Sequence, residues 1–125
     1  MAGRDVVVTT LNLGGYNGAT EVPLIKFPAE FGGVTVIEAY LVGPGAGTAI
    51  GGKLVTMSDQ GTPAINGTVG TFAGTCVTAA GVTFALTLSS ASAAYITKDY
   101  WIGYDQTSGT VPAGTFIVLS YVMGK

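Results

Sequence analysis

Residues Val82 to Ser89 read V-T-F-A-L-T-L-S, in which large apolar residues alternate with small or hydroxyl-bearing ones. Successive side chains of an extended chain point to opposite sides. One face of the stretch carries Val82, Phe84, Leu86 and Leu88, and the other carries Thr83, Ala85, Thr87 and Ser89. The pattern predicts a strand that packs on a core with one face and meets water with the other.

Similar extended segments recur along the whole chain. Further strands are predicted at Asp5 to Leu11, Val34 to Val42, Lys53 to Ser58, Thr68 to Ala73, Tyr100 to Asp105 and Thr115 to Met123. Glu21 to Phe27 contains Pro23, and proline cannot donate to a strand ladder, so this segment is predicted as an edge strand or an arm. Glycine-containing pairs such as Gly51-Gly52, Asn66-Gly67 and Ala80-Gly81 are interpreted as turns between strands.

About eight short strands at this spacing predict an all-β fold, an antiparallel β-sandwich or jelly roll with an extended N-terminal arm. We divide the chain into residues 1–30, the arm and edge strand, and residues 31–125, the sandwich domain.

The charge content is low for a protein of this size. The 125 residues include 12 charged side chains and no histidine, and none of the 38 residues between Asp59 and Lys98 is charged. The surface of a small soluble domain ordinarily carries about 25–35% charged residues. With 48% hydrophobic residues, the composition predicts that part of the apolar surface meets another chain. The alternative is a monomer kept in solution by its many hydroxyl groups.

Several functional classes are disfavoured by composition. A net charge of −2 gives no basic footprint for nucleic acid. Without histidine there is no Ser-His-Asp arrangement. Gly47 to Lys53 has the spacing of a phosphate-binding loop, but Leu54 stands where the hydroxyl should be. We expect no catalytic residue, cofactor or metal, and no membrane span, because small polar residues interrupt the uncharged stretch. The N-terminus lacks an apolar signal region, which predicts synthesis in a cytoplasm.

Two predicted strands are apolar on both faces and therefore need cover on the outer side as well. In Thr115 to Met123, Phe116, Val118 and Val122 lie opposite the core-facing residues, and Val34 to Leu41 is similar. A neighbouring subunit is the simplest cover, and an N-terminal arm of the same chain is the alternative. The candidate interface residues are Pro23, Phe27, Val34, Val36, Trp101, Phe116, Val118 and Val122.

The segment Asp99 to Asp105 concentrates aromatic residues. Alternation directs Tyr100, Ile102 and Tyr104 to the core and Asp99, Trp101, Gly103 and Asp105 outward. Three interpretations stay open. Trp101 anchors a protein interface, where tryptophan is enriched; or it stacks a sugar ring beside the bare Gly103 while Asp99 and Asp105 accept sugar hydroxyls; or it packs under a loop.

The C-terminal part of the chain carries a resemblance to a known family. It joins an aromatic strand, Asp99-Tyr100-Trp101-Ile102-Gly103-Tyr104, through Gly109-Thr110-Val111-Pro112-Ala113-Gly114-Thr115 to the apolar Phe116-Ile117-Val118-Leu119. In this, and in its general character, the chain resembles small virion proteins of tailed bacteriophages. It is most similar to capsid decoration (cement) proteins of the jelly-roll type.

The resemblance implies a structural protein that is made in the host cytoplasm and sits on the capsid exterior. There it would bind the major capsid protein and stabilise its lattice, as a homo-oligomer with a trimer favoured over a dimer. No residue role is carried over. The alternative function is a carbohydrate-binding β-sandwich module of a phage tail fibre or receptor-binding protein.

Overall fold

The computed structural model describes residues 5–13, 21–44, 51–58, 65–72, 80–90, 92–97, 99–109, 111 and 114–124. These residues form strands and one short 3-10 turn, Ala29–Phe31. The strands are β1 Val7–Asn12, β2 Glu21–Lys26, β3 Val34–Pro44, β4 Gly51–Ser58, β5 Ile65–Phe72, β6 Ala80–Leu88, β7 Tyr95–Ile96, β8 Tyr100–Ser108 and β9 Phe116–Met123. No helix among the described residues has the length and hydropathy to cross a membrane.

The strand order is β1-β9-β3-β6-β5-β4-β8-β2, with β7 beside β3, and each pairing is antiparallel. If the short β7 is set aside, the first strand pairs with the last, the second with the second-to-last, and so inward to the β4–β5 pair. This is one long antiparallel hairpin rolled up, the eight-stranded arrangement of a jelly roll. The predicted all-β sandwich fold is confirmed.

The roll has two layers. We call β1, β9, β3, β7 and β6 the first sheet and β2, β8, β4 and β5 the second sheet. Strand β6 links them, because its residues up to Ala85 pair with β3 whereas Leu86 to Leu88 pair with β5. The two layers are therefore continuous through one strand.

The hydrophobic core fills the space between the sheets. Its fully buried members come from both layers and include Val34, Leu41, Leu54, Ile102, Tyr104, Ile117 and Leu119. Phe84, Leu86 and Leu88 of β6 are partly buried against this core, while Thr83, Ala85 and Thr87 are exposed. The alternation predicted for β6 is thus confirmed at these positions. Each buried aliphatic side chain contributes about 1.5–3 kcal/mol to folding.

Strand β3 contains an irregularity that the sequence did not reveal. Its register against β9 shifts between Val36 and Glu38, so Ile37 is an extra residue. An extra residue reverses the inward and outward parity of a strand. Val34 and Val36 before the shift, and Ala39 and Leu41 after it, therefore all lie in the core.

Three glycine-containing pairs that were predicted as turns lie in strands instead. Gly51-Gly52 belongs to β4, Asn66-Gly67 to β5 and Ala80-Gly81 to β6. At Gly52 the reason is packing, because a Cβ atom would overlap the ring of the buried Tyr104. Asn66-Gly67 lies where the β4–β5 register shifts, a common place for glycine in a strand. Gly32 and Gly33, which follow the 3-10 turn, have positive φ angles of 69° and 108°.

The described N-terminal residues belong to the sandwich itself. β1 pairs with β9 and β2 pairs with β8, each at the outer side of its sheet. Leu11, Leu13 and Phe27 are part of the core, so core residues come from both sides of position 30. β1 lies beside β9 and not across its outer face. The division into residues 1–30 and 31–125 stays a prediction.

Candidate docking surface

The outward side of the first sheet, here called the first outer face, is built in rows across its strands. Residues directly opposite one another on paired strands share a face. One row runs Thr10, Val118, Tyr40 and Ala85, and the next runs Asn12, Phe116, Val42 and Thr83. Val8, Ser120 and Glu38 form a third. The centre of this face is therefore apolar and aromatic.

Several of these apolar side chains are open to solvent as far as the described residues show. Val8 is 61% exposed, and Phe116, Val118 and Tyr40 are half-buried. Val6, just before β1, is also largely exposed, as is Ile37 at the β3 irregularity. Contiguous apolar surface of this kind is typical of a contact with another molecule.

The first outer face is almost without charge. The strands of the first sheet contain a single charged residue, Glu38. The Tyr40 hydroxyl donates a hydrogen bond to Oε2 of Glu38 at 3.1 Å. This hydrogen bond, and then the negative charge of the carboxylate, raise the pKa of Tyr40 above its ordinary value of 10.0. The Glu38 carboxylate thus accepts a hydrogen bond from a side chain of the same face.

The outward side of the second sheet, the second outer face, has a different character. It carries an ion pair between Lys53 Nζ and Asp105 Oδ2 at 3.9 Å. Its apolar residues Val55 and Met57 are 0% and 1% exposed. A Cβ atom on Gly103 would lie 2.3 Å from Met57 Sδ, so the methionine occupies the space above this glycine. The second outer face is filled by its own chain.

The eight predicted interface residues do not form one surface. Phe116 and Val118 lie on the first outer face, whereas Trp101 and the exposed Pro23 belong to the second sheet. The other four are at most 8% exposed in the isolated chain, and their place in an interface stays a prediction; they are Phe27, Val34, Val36 and Val122.

The predicted sugar platform is not assembled either. Alternation placed Trp101, Gly103 and Asp105 on one face correctly, with Ile102 and Tyr104 buried on the other. However, Met57 covers Gly103, and Asp105 faces Lys53. Asp99 is exposed just before β8, and six residues of extended chain separate it from Asp105 by about 20 Å. The two carboxylates are too far apart to hold one sugar ring.

Sequence reasoning missed three members of the first outer face: Val8, Tyr40 and Val42. A signal for Val8 was present, because Val6, Val7 and Val8 form an apolar run that no single core-facing pattern explains. Tyr40 and Val42 follow the extra residue in β3, so their outward direction depends on a shift that the sequence pattern does not show.

A pocket of about 270 Å³ opens between the second sheet and the segment around β7. Its described lining consists of neutral residues, among them Thr56, Thr68, Tyr95 and Tyr100. Thr56 already donates a hydrogen bond to the Gly67 carbonyl oxygen. Among the described residues, no group of three or more acidic, histidine or cysteine side chains could hold a metal ion.

Comparisons with known proteins bear on the fold. The chain is similar in structure to a chain of the capsid of Ralstonia phage GP4, with a TM-score of 0.59. The alignment covers 100% of this chain and 89% of that one at 19% sequence identity, so the likeness concerns the fold. No protein-family model matches the sequence, and a search of curated proteins gives no match.

Proposed function

We propose that the protein is a structural component of a phage virion, a capsid decoration protein that binds and stabilises the major capsid protein lattice from outside. The observation that carries the proposal is the nearly uncharged, partly exposed first outer face. The structural likeness of the whole chain to a chain of a phage capsid supports the same assignment. As a homo-oligomer, the protein presents several copies of this face to one shell.

The chemistry of the first outer face suits such a contact. Interface centres are depleted of charged residues and enriched in aromatic ones, and here Phe116 and Tyr40 stand among valines with Glu38 held by Tyr40. Each copy needs only modest affinity. Simultaneous contact of linked copies with a rigid lattice raises the overall affinity by orders of magnitude.

The test uses shells of the encoding phage from which this protein has been removed, and measures how much added protein sediments with them. Thr83 is an exposed residue on the first outer face, and Thr107 is an exposed residue of β8 in the second sheet. Thr83→Lys is expected to weaken shell binding about tenfold or more, because docking would strip water from the new charge. Thr107→Lys is the matched control and is expected to bind as the unmodified chain does.

The outcomes separate the function from the surface. If the unmodified protein does not sediment with shells, the decoration role is wrong. If it does and the two variants bind equally, the role stands and the first outer face is not the docking surface.

The carbohydrate-binding alternative is not proposed further. It required Trp101, Gly103 and the two aspartates to present one open platform, and Met57 fills its centre.

A further inference from the structure

The rolled-up hairpin ends in two outer strands. In the described part of the chain, β1 has a neighbour on one side only, and so does β2. Such an edge strand presents backbone N–H and C=O groups that can pair with another chain, and proteins ordinarily block this with proline, charge or an irregular register.

The β2 edge carries all three of these features. Pro23 cannot donate a ladder hydrogen bond, and Glu21 and Lys26 stand at the two ends of the strand. The register against β8 shifts between Pro23 and Ile25. Another strand cannot pair regularly with this edge.

The β1 edge carries none of them. Its sequence V-V-T-T-L-N has no proline and no charge, and all six of its pairs with β9 run in one unbroken register. Val8, which points outward from this strand, is the most exposed of the large apolar residues in the described chain, at 61%. Together these features describe a straight edge suited to pairing.

We infer that β1 pairs with β1 of a second copy, antiparallel about a two-fold axis, to make one sheet that runs through both molecules. This goes beyond the proposed function and does not depend on it. A two-fold axis sets a strand against its own sequence, so any charge near the axis would oppose its own copy. β1 has no charge, and this removes the repulsion that a charged strand would suffer.

The pairing has a definite register. Only registers that oppose even-numbered with even-numbered residues keep the outward side chains of both copies on one face. Val8 opposite Val8 of the second copy satisfies this and sets Val6 against Thr10. It also sets Val7 against Thr9, which are half-buried in each copy. Pairs of β-branched residues at such positions stabilise a sheet.

The contact also explains why a second copy is the partner. The two-fold axis stands perpendicular to the sheet, so the first outer faces of both copies point the same way. The exposed Val6 and Val8 then lie in the middle of a doubled apolar surface and not at its rim. The expected unit is a dimer, in contrast to the trimer favoured by the family resemblance.

Cysteine cross-linking tests the register. Val8→Cys in a Cys76→Ser background is expected to give a covalent dimer on mild oxidation, because directly opposed Cβ atoms lie within about 5.5 Å and need only a small adjustment to join. Thr10→Cys in the same background is the control, since its two copies would be about 14 Å apart along the strand. Pro23→Cys controls for random collision at the other edge.

Light scattering on the protein with its native sequence tests the assembly without any cysteine. The expected mass is twice that of the chain, and Val8→Lys is expected to return it to the mass of one chain. A monomer, a trimer, or a dimer that Val8→Lys leaves intact would each overturn the inference, as would equal cross-linking of Val8→Cys and Pro23→Cys. None of these results bears on shell binding, which is measured separately.

Discussion

The two outer faces of the sandwich differ in how far the chain itself covers their outward apolar side chains. Both sheets contain apolar side chains that point away from the core. On the second outer face the chain covers them itself: Met57 lies over Gly103, and Val55 is completely buried. On the first outer face, Phe116 and Val118 stay half-buried.

This difference shows that an outward apolar residue does not by itself indicate a partner. Gly103 on the neighbouring strand has no side chain, and the Met57 side chain occupies the space that a Cβ atom there would take. The first sheet has no such device at Val118, whose neighbours across the strands are Thr10 and Tyr40. Of the two outer faces, only the first therefore presents outward apolar side chains for docking.

The largest effect is expected from adding a side chain at Gly103 on the second outer face, where Met57 already occupies the space. Gly103→Ala is expected to lower the free energy of unfolding by about 2 to 3 kcal/mol, because the added Cβ overlaps Met57 and the Val22 carbonyl oxygen. Urea denaturation measures the change. In Gly67→Ala the new atom meets Thr56 Oγ1 at 3.4 Å, an ordinary contact, so this control should stay within about 0.5 kcal/mol. Equal losses in the two variants would contradict self-filling.

A matched pair of valines gives the next effect. Val55→Thr buries a hydroxyl in the second outer face and is expected to reduce the unfolding free energy by about 1 to 2 kcal/mol. Val118→Thr makes the same change on the first outer face, where water reaches the site, and should alter it by less than about 0.5 kcal/mol. If Val118→Thr were as destabilising as Val55→Thr, the isolated chain would already cover its first outer face.

The smallest effect concerns the single charge on the first outer face. Glu38→Gln removes the carboxylate that raises the pKa of Tyr40, so this pKa is expected to fall toward its ordinary value. The contribution of the raised pKa to stability is fully present below pH 10.0 and is lost as the pH rises through the folded-state value. Absorbance titration of tyrosinate measures the shift, with Tyr40→Phe identifying the signal. An unchanged titration in Glu38→Gln would mean that the two side chains do not interact.

The sequence predicted the fold where alternation is unbroken. In β6 and in the first half of β8 the core-facing and outward residues follow a period of two, so Phe84 and Ile102 were placed correctly. The same simple rule failed in β3. There the extra residue Ile37 shifts the alternation, so even-numbered residues before it and odd-numbered residues after it face the core. This shift explains part of the pattern that looked apolar on both faces.

The candidate site was harder to predict because it depends on pairings between distant segments. Whether Trp101 stands beside an open glycine depends on the register of β8 against β4. This register sets Met57 opposite Trp101, where the methionine side chain covers Gly103. Val8 joins Phe116 and Val118 on one face because the first strand lies next to the last. No local pattern contains either fact. The virion role and the capsid partner stay proposals, and the trimer implied by the family resemblance stays a prediction that the proposed dimer opposes.

The pairing of the first strand with the last has a consequence for biosynthesis. β9 lies between β1 and β3, in the interior of its sheet, yet of the described strands it is the last to leave the ribosome. Until then β1 lacks β9, its neighbour among the described strands, and the first sheet is incomplete, with its apolar side chains uncovered. Domains dominated by such long-range pairing fold slowly, and a nascent chain of this kind is prone to stick to others. A stop codon at position 116 would leave β1 and β3 without the strand that lies between them.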